Sequence, residues 1–375
     1  LPKTSDLRHQ TRSAALTDAA DATDTADATA ATNTASLKTS AATLLAGATD
    51  SAVVMLRPHA QIAASTTFAE DVLAGLGATP RSVPPKYFYD AAGSALFDRI
   101  CDLPEYYPTR TELNLLTRYG AAMAQQIGPD AELVEFGAGS LTKVRLLLDA
   151  FAPGTAPRRY FPLDISAGHL AAAAERLRAD YPQLEVEPVA ADYLAHLTLP
   201  PVRAASGRRV GFFPGSTIGN FSPAQAHTFL RRAAGWLAGG GLLVGVDLVK
   251  DPALLHAAYN DAQGITAQFN LNLLRRMNRE LAADFDLNQF AHYAFYQPLL
   301  RRVEMHLVSQ CAQSVQLAGH VFSFAEGETL HTENSYKFTL DGFRAMALAA
   351  GFRPGPVWTD EAKLFSVHWL EAPGG

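Results

Sequence analysis

The stretch Val134–Lys143, "VEFGAGSLTK", decides the fold. An apolar run ends on two glycines one residue apart, and the helix-forming run "LTKVRLLLDAFA" (141–152) follows at once. Strand, glycine turn and helix in that order open a ligand site in a parallel α/β sheet, because glycine permits a tight turn and a close approach of backbone to ligand. Outward from it the alternation continues. Strand-like "RYFPLDI" (159–165), "LEVEPVAA" (184–191), "RVGFFPG" (209–215) and "GLLVGVDLV" (241–249) are separated by helical "SAGHLAAAAERLRADY" (166–181) and "PAQAHTFLRRAAGWLA" (223–238). Short loops between alternating elements predict a doubly wound, mostly parallel sheet. Ser166 and Ser222-Pro223 are expected helix starts, serine as cap and proline in the first turn.

The turn also carries a statement about ligand chemistry. A dinucleotide pyrophosphate calls for G-x-G-x-x-G at the helix N-terminus, and here the third position is Thr142, followed by Lys143. That favours S-adenosylmethionine, which has no phosphate, over a nicotinamide dinucleotide. Asp164, ending the second strand, stands where an acid holds ribose hydroxyls, and Asp192 follows the third, where an adenine amino group could be met. After the fourth strand, "FFPGSTIGNF" (212–221) should border the reacting methyl through Gly215, Thr217 and Asn220. An ordinary turn with Asn220 as cap reads the same letters.

Beyond 250 the pattern changes. "PALLHAAYNDAQGITAQFNLNLLRRMNRELAADF" (252–285) reads as amphipathic helix, and "VEMHLVSQ", "QSVQLAGHVFSF" and "ETLHTENSYKF" alternate as antiparallel strands do. A last helix, "LDGFRAMALAAG", precedes a closing hairpin, "GPVWTDEAKLFSVHWLEA". An antiparallel strand slipped into a parallel sheet is how a methyltransferase-type sheet ends, so the α+β block before it reads as an insertion. Within it, counting "HTENSYKF" (331–338) by twos puts His331, Glu333, Ser335 and Lys337 on one face. A carboxylate and a hydroxyl side by side on a strand need something to point at.

Composition bounds the rest. The chain has 375 residues, a formal net charge of −6 and 48% hydrophobic residues, which suits a globular protein and argues against nucleic acid as partner. No apolar run is long enough for a membrane span. Two cysteines without C-x-x-C spacing suit a reducing cytoplasm, and eleven scattered histidines offer no ligand spacing, so no metal is expected. Residues 1–55, rich in Ala, Asp and Thr, are expected to form a disordered leader.

Together, "YDAAGSALFDRICDLPEYYPTR" (89–110), "FFPGSTIGNF", "DLVKDPALLHAAYNDAQGITAQFNLNLL" (247–274), "VEMHL" and "TENSYKF" resemble the ergothioneine-pathway histidine Nα-methyltransferases, in order, from about Tyr87 to the C-terminus. The resemblance implies a class I, Rossmann-like methyltransferase domain (112–246 and 338–375) and a discontinuous histidine-binding domain (56–111 and 247–337). Carried over by motif, Tyr89, Gly137, Lys143, Asp164, Asp192 and Tyr193 would handle adenosylmethionine. Asn220 and Tyr259, with Gly215 nearby, would hold the substrate's amino and carboxylate groups and serve the reaction itself. Tyr106, Met305, Glu333 and Ser335 would form an imidazole pocket. The implied activity is threefold methylation of L-histidine to hercynine by a monomer. Without the resemblance, Tyr89, Tyr106, Tyr259 and Met305 read equally as core residues. A sister methyltransferase for an aromatic amino acid, a cofactor-binding regulator and an NAD-dependent oxidoreductase are the competing readings.

Overall fold

The computed structural model describes residues 67–374 apart from His196 and residues 204–206, so the expected leader lies outside the described residues. Helix α1 (Phe68–Gly77) leads into β1 (Arg81–Ser82), α2 (Ala91–Cys101) and the long α3 (Tyr107–Ile127). The alternating part then runs β2 (Glu132–Phe136), α4 (Thr142–Leu148), β3 (Arg159–Asp164), α5 (Ala167–Asp180), β4 (Glu185–Val186), β5 (Val189–Ala190), β6 (Arg209–Phe213), α6 (Pro223–Trp236) and β7 (Gly241–Asp247). Two helices, α7 (Pro252–Tyr259) and α8 (Ile265–Leu281), precede β8 (Phe290–Gln297), β9 (Arg302–Ser309), β10 (Gln313–Leu317), β11 (His320–Phe324) and β12 (Thr329–Tyr336). Helix α9 (Leu340–Ala349), β13 (Arg353–Thr359) and β14 (Phe365–Glu371) close the chain.

The large sheet has the order β13-β14-β7-β6-β2-β3-β4, with β5 also pairing β3. Strand β14 lies antiparallel between β7 and β13, and the other neighbours from β7 to β4 run parallel. This is the predicted α/β class with its antiparallel ending. Strands β2, β6 and β7 are buried along their whole length, which accounts for their unbroken apolar runs. Leu115, Met123, Val144 and Leu177 cover one face, and Phe229, Leu230 and Phe343 the other. The smaller sheet, β1-β12-β9-β8, packs its inner face on α7 and α8, with α2 on α8 behind them and Met305, Leu307, Phe269 and Leu274 at the centre.

Four expectations need correction. "LEVEPVAA" is two short strands, because Pro188 has no N–H to give the ladder. The run 252–285 is two helices: Gly264 turns left-handed, and the Asp261 carboxylate accepts the N–H groups of Ile265 and Thr266. Ser222 caps α6 as expected, in a reciprocal box with Gln225, but Ser166 makes no cap. Its hydroxyl donates to the Tyr89 carbonyl at 2.7 Å. Finally, the face count of β12 fails at one point. A bulge between His331 and Glu333 leaves Thr332 as the extra residue, so His331 pairs with His306 and Glu333 with Met305. Glu333 and Ser335 face the core with Leu330. His331 turns to the other face, where its ring lies 4.8 Å from that of His306.

Candidate active site

A cavity of about 950 Å³ opens at the carboxyl ends of the large sheet's strands and extends to the β12 strand of the small sheet. Gly137, Lys143, Asp164, Asp192, Tyr193 and Gly215 line it, and so do Asn220, Tyr89, Tyr106 and Glu333. Ten predicted residues from separate stretches of chain therefore meet around one space. Met305, Tyr259 and Ser335 stand one layer behind: Met305 pairs with Glu333 in register, Tyr259 packs edge-on against Tyr106, and Ser335 follows Glu333 by two residues.

Geometry at the sheet end follows from the backbone. Gly137 has φ of 70° and its N–H donates to Leu163 O, which crosses the chain from β2 to β3 at the turn. A side chain there would be strained by that φ and would also meet the Tyr193 hydroxyl. The Asp164 carboxylate accepts Gly139 N–H at 3.0 Å and Ser166 N–H at 2.9 Å, so it is fixed before any ligand arrives. Asp192 accepts Leu194 N–H and sits 3.1 Å from Lys86 Nζ. Asp164 suits ribose hydroxyls, and the glycine turn offers backbone rather than a phosphate cradle, so the donor set fits adenosylmethionine. Below the turn, the Glu135 carboxyl is pushed up to about 8 by burial, opposed by the Tyr160 hydroxyl that bonds it.

Glu112, which the sequence reading passed over, organises the next loop. Buried in the middle of α3, it accepts Gly215 N–H on both carboxylate oxygens at 2.9 Å and pairs with Lys143 Nζ at 2.7 Å. Burial alone would lower the Lys143 ammonium, but the Glu112 charge more than offsets it and the net shift is upward. The carboxylate fits only because position 245 is glycine: a Cβ there would lie 2.1 Å from Glu112 Oε1. Gly245→Ala is therefore expected to cost about 1–3 kcal/mol of overpacking and to release Gly215 and Lys143 together. Thermal unfolding reads the first effect, and a raised KM for adenosylmethionine the second.

At the small-sheet wall, burial pushes the Glu333 carboxyl up to about 7, with the nearby Lys337 ammonium opposing. Among the described residues its carboxylate has no hydrogen-bond partner, although it is only 9% exposed. The phenols of Tyr89 and Tyr106 rise well above their usual range through burial first, with the Glu333 charge adding to both. They are neutral hydroxyls throughout the working pH range. Behind them lies a fully buried charge cluster. Lys337 Nζ reaches Asp247 Oδ2 at 2.8 Å, Ser335 Oγ at 2.7 Å and the Tyr259 hydroxyl at 3.2 Å. Asp247 also accepts from Tyr107 and Lys250, and its N–H donates to Ser216 Oγ, which holds Ser216 left-handed at φ of 55°.

A protein-family profile described as "Histidine-specific methyltransferase, SAM-dependent" matches residues 68–372. The chain belongs to that family. The resemblance expected from the motifs is borne out at this level, and with it the methyltransferase class and the use of adenosylmethionine. The histidine N-alpha-methyltransferase of Mycolicibacterium smegmatis is 46% identical over 308 residues, covering 81% of this chain and 94% of that protein. That of Mycobacterium tuberculosis is 44% identical over 300 residues, covering 79% and 92%. Ergothioneine biosynthesis protein 1 of Neurospora crassa is 29% identical over 75% of this chain, which spans 32% of that longer protein.

In this histidine-specific methyltransferase the residues missed from sequence left signals. Glu112 lies on the apolar stripe of α3 with Leu115 and Leu116, where a carboxylate must have a buried partner. Asp247 ends a fully buried strand, and Lys337 falls on the Glu333 face by simple alternation. The ligand atoms of Glu304, His306 and His331 come within 4.8 Å of one another. They lie on the far face of β9 and β12, where Arg302 already pairs with Glu304 and the two imidazoles lie ring against ring; of the three only His331 borders the cavity. No helix among the described residues is long and apolar enough to cross a membrane.

Proposed function

We propose that this methyltransferase acts on the α-amino group of L-histidine, in three successive transfers that yield the trimethylbetaine hercynine, as a step of ergothioneine formation. One observation carries the reading: a buried carboxylate without a hydrogen-bond partner, Glu333, lines the same cavity as the Gly137 turn. A buried carboxylate is costly unless a ligand donor meets it, and an imidazole N–H is such a donor. An indole or phenol side chain would match it less well. The N-alpha-methyltransferase relatives at 46% and 44% identity support the same substrate.

On this reading residues 112–246 and 338–375 bind adenosylmethionine, and residues 56–111 and 247–337 bind histidine. Asp164 takes the ribose, Asp192 and Tyr193 the adenine end, and Lys143 with Tyr89 the methionine end. Asn220, carrying both acceptor and donors, holds the amino acid's zwitterionic head beside Gly215. Tyr259 and Ser335, behind the wall, set the hydrogen bonds that the substrate meets. Bound adenosylmethionine supplies an activated sulfonium methyl, so the chain's task is to aim the amine and keep its lone pair bare. A model α-amine has pKa of about 8, so part of the substrate arrives unprotonated at neutral pH. No side chain stands as a dedicated base, and the proton leaves to water.

Incubating the protein with adenosylmethionine and all twenty amino acids, then weighing the products, tests the reading. Histidine is expected to gain three methyl masses. Histidine left untouched while another amino acid is methylated would overturn it.

A further inference from the structure

The far face of the small sheet brings together three groups that spacing along the sequence does not show. Glu304 and His306 stand two residues apart on β9 and so share a face, and His331 of β12 lies opposite His306 in register. Their ligand atoms fall within 4.8 Å of one another. Each side chain is held from behind. Glu304 Oε1 accepts from Arg302 Nε at 2.8 Å and Nη2 at 2.7 Å, which leaves Oε2 for His306 Nε2 at 3.0 Å. His331 Nε2 donates to the Glu333 carbonyl at 3.0 Å, so its Nδ1 carries a bare lone pair, the arrangement by which metal-ligating histidines are oriented. Phe295 stacks on the His306 ring with centroids 5.6 Å apart. His306 Nδ1 is buried and has no hydrogen-bond partner among the described residues, so only Glu304 fixes its tautomer.

We propose that Glu304, His306 and His331 bind one divalent transition-metal ion of the zinc type, as a clasp between β9 and β12. Two imidazoles and one carboxylate suit zinc rather than magnesium or calcium, which favour oxygen throughout. Ligand atoms about 2.1 Å from a tetrahedral ion lie about 3.3 Å from each other, and two imidazoles bound in this way have ring centroids about 5 Å apart. The His306 and His331 centroids are 4.8 Å apart, and the Glu304–His306 pair is at 3.0 Å. When the ion takes His306 Nε2, the ring hydrogen moves to Nδ1 and no proton is lost. Arg302 keeps its hold on Oε1 and leaves Oε2 to the ion. His331 borders the cavity, so water can reach the fourth position. The clasp would tie the strands beside the Thr332 bulge, on the face turned away from Met305 and Glu333.

The test is calorimetric titration of the chelator-treated full chain with zinc chloride. The wild type is expected to bind one Zn²⁺ with Kd below about 10 μM, and its thermal midpoint to rise with the ion present. Glu304→Gln and His331→Ala are each expected to weaken binding at least about tenfold and to abolish that rise. His320→Ala, which removes an exposed histidine elsewhere on the small domain, is expected to change neither. Weak binding shared equally by the wild type and all three variants would mean an adventitious ion only and overturns the proposal. Co²⁺ gives a reading that needs no variant. Its visible absorption in the wild type is expected to be the intense band of a four-coordinate nitrogen–oxygen site. The pale spectrum of the hexahydrated ion overturns the proposal even if a variant fails to fold.

Discussion

Glu333→Gln is expected to lower kcat/KM for histidine by at least about a hundredfold, to leave adenosylmethionine binding intact, and to stabilise the ligand-free protein above neutral pH. The first effect arises because a neutral carboxamide accepts the ring N–H more weakly than a carboxylate does and puts an N–H₂ donor where an acceptor stood. The second follows because Asp164, Gly137 and Lys143 belong to the other end of the molecule's chain order and touch neither β12 nor its carboxylate. The third is a linkage effect. In the folded protein burial raises the Glu333 carboxyl from 4.5 to about 7, whereas the unfolded chain releases that proton near 4.5. The folded state therefore binds more protons between these values. Its stability contribution is fully present below pH 4.5 and is lost as pH rises through 7, a swing on the order of 3 kcal/mol. Glutamine has no such proton, so the variant's stability at pH 8 should exceed the wild type's while the two converge near pH 4. Urea unfolding at both pH values measures the swing, and calorimetric titration of adenosylmethionine checks that the cofactor site survives. Equal loss of both ligands would mean that Glu333 holds the fold rather than the substrate.

Asp247→Ala is expected to have the largest stability effect. Removing this carboxylate strips Lys337 and Lys250 of their shared counter-charge while both stay buried. Lys250 is already lowered to about 8, by burial first and by repulsion from Lys337 as well, with Asp247 its main and Asp360 its lesser support. Breaking a buried pair from one side costs about 3–5 kcal/mol, because the remaining charge has neither water nor partner. The same change leaves the backbone N–H that Ser216 accepts in place but loosens Lys337 and the Tyr259 and Ser335 hydroxyls it holds. Urea unfolding of the two proteins gives the difference. A cost below about 1 kcal/mol would show that water replaces the carboxylate and that the cluster is solvated in solution.

Much of this was legible in the letters. "VEFGAGSLTK" read as strand, turn and helix because its glycine pair, weak alone, lies between an apolar run and a helical one, and Asp164 and Asp192 followed from the strand ends. What stayed hidden has common causes. Strand β8, "FAHYAFYQ", sits at the edge of the small sheet with small alanines between its aromatics, so its alternation is weak. The bulge at Thr332 cannot be seen because a period-two count has no memory of an inserted residue. Glu112 and Asp247 take their meaning from partners 31 and more residues away, Lys143 and Gly215 for the one and Lys337 for the other. Distance in sequence conceals such pairs, while each member reads locally as a stray charge in an apolar element. Tyr259 and Ser335, assigned from the resemblance to different parts of the substrate, are hydrogen-bonded to each other behind a wall that includes Tyr106 and Glu333.

The extra residue at Thr332 has a further consequence. Because side chains on a strand alternate, one inserted or deleted residue upstream of Glu333 exchanges the two faces for everything that follows until the next irregularity. Straightening the bulge would turn Glu333 outward toward the His306 side and bring a neighbour into the wall in its place. On the proposed histidine reading, amino-acid preference in this scaffold is held in the phase of a single strand. A lineage could change what it methylates by one codon gained or lost, with the methyl-delivering sheet inherited untouched.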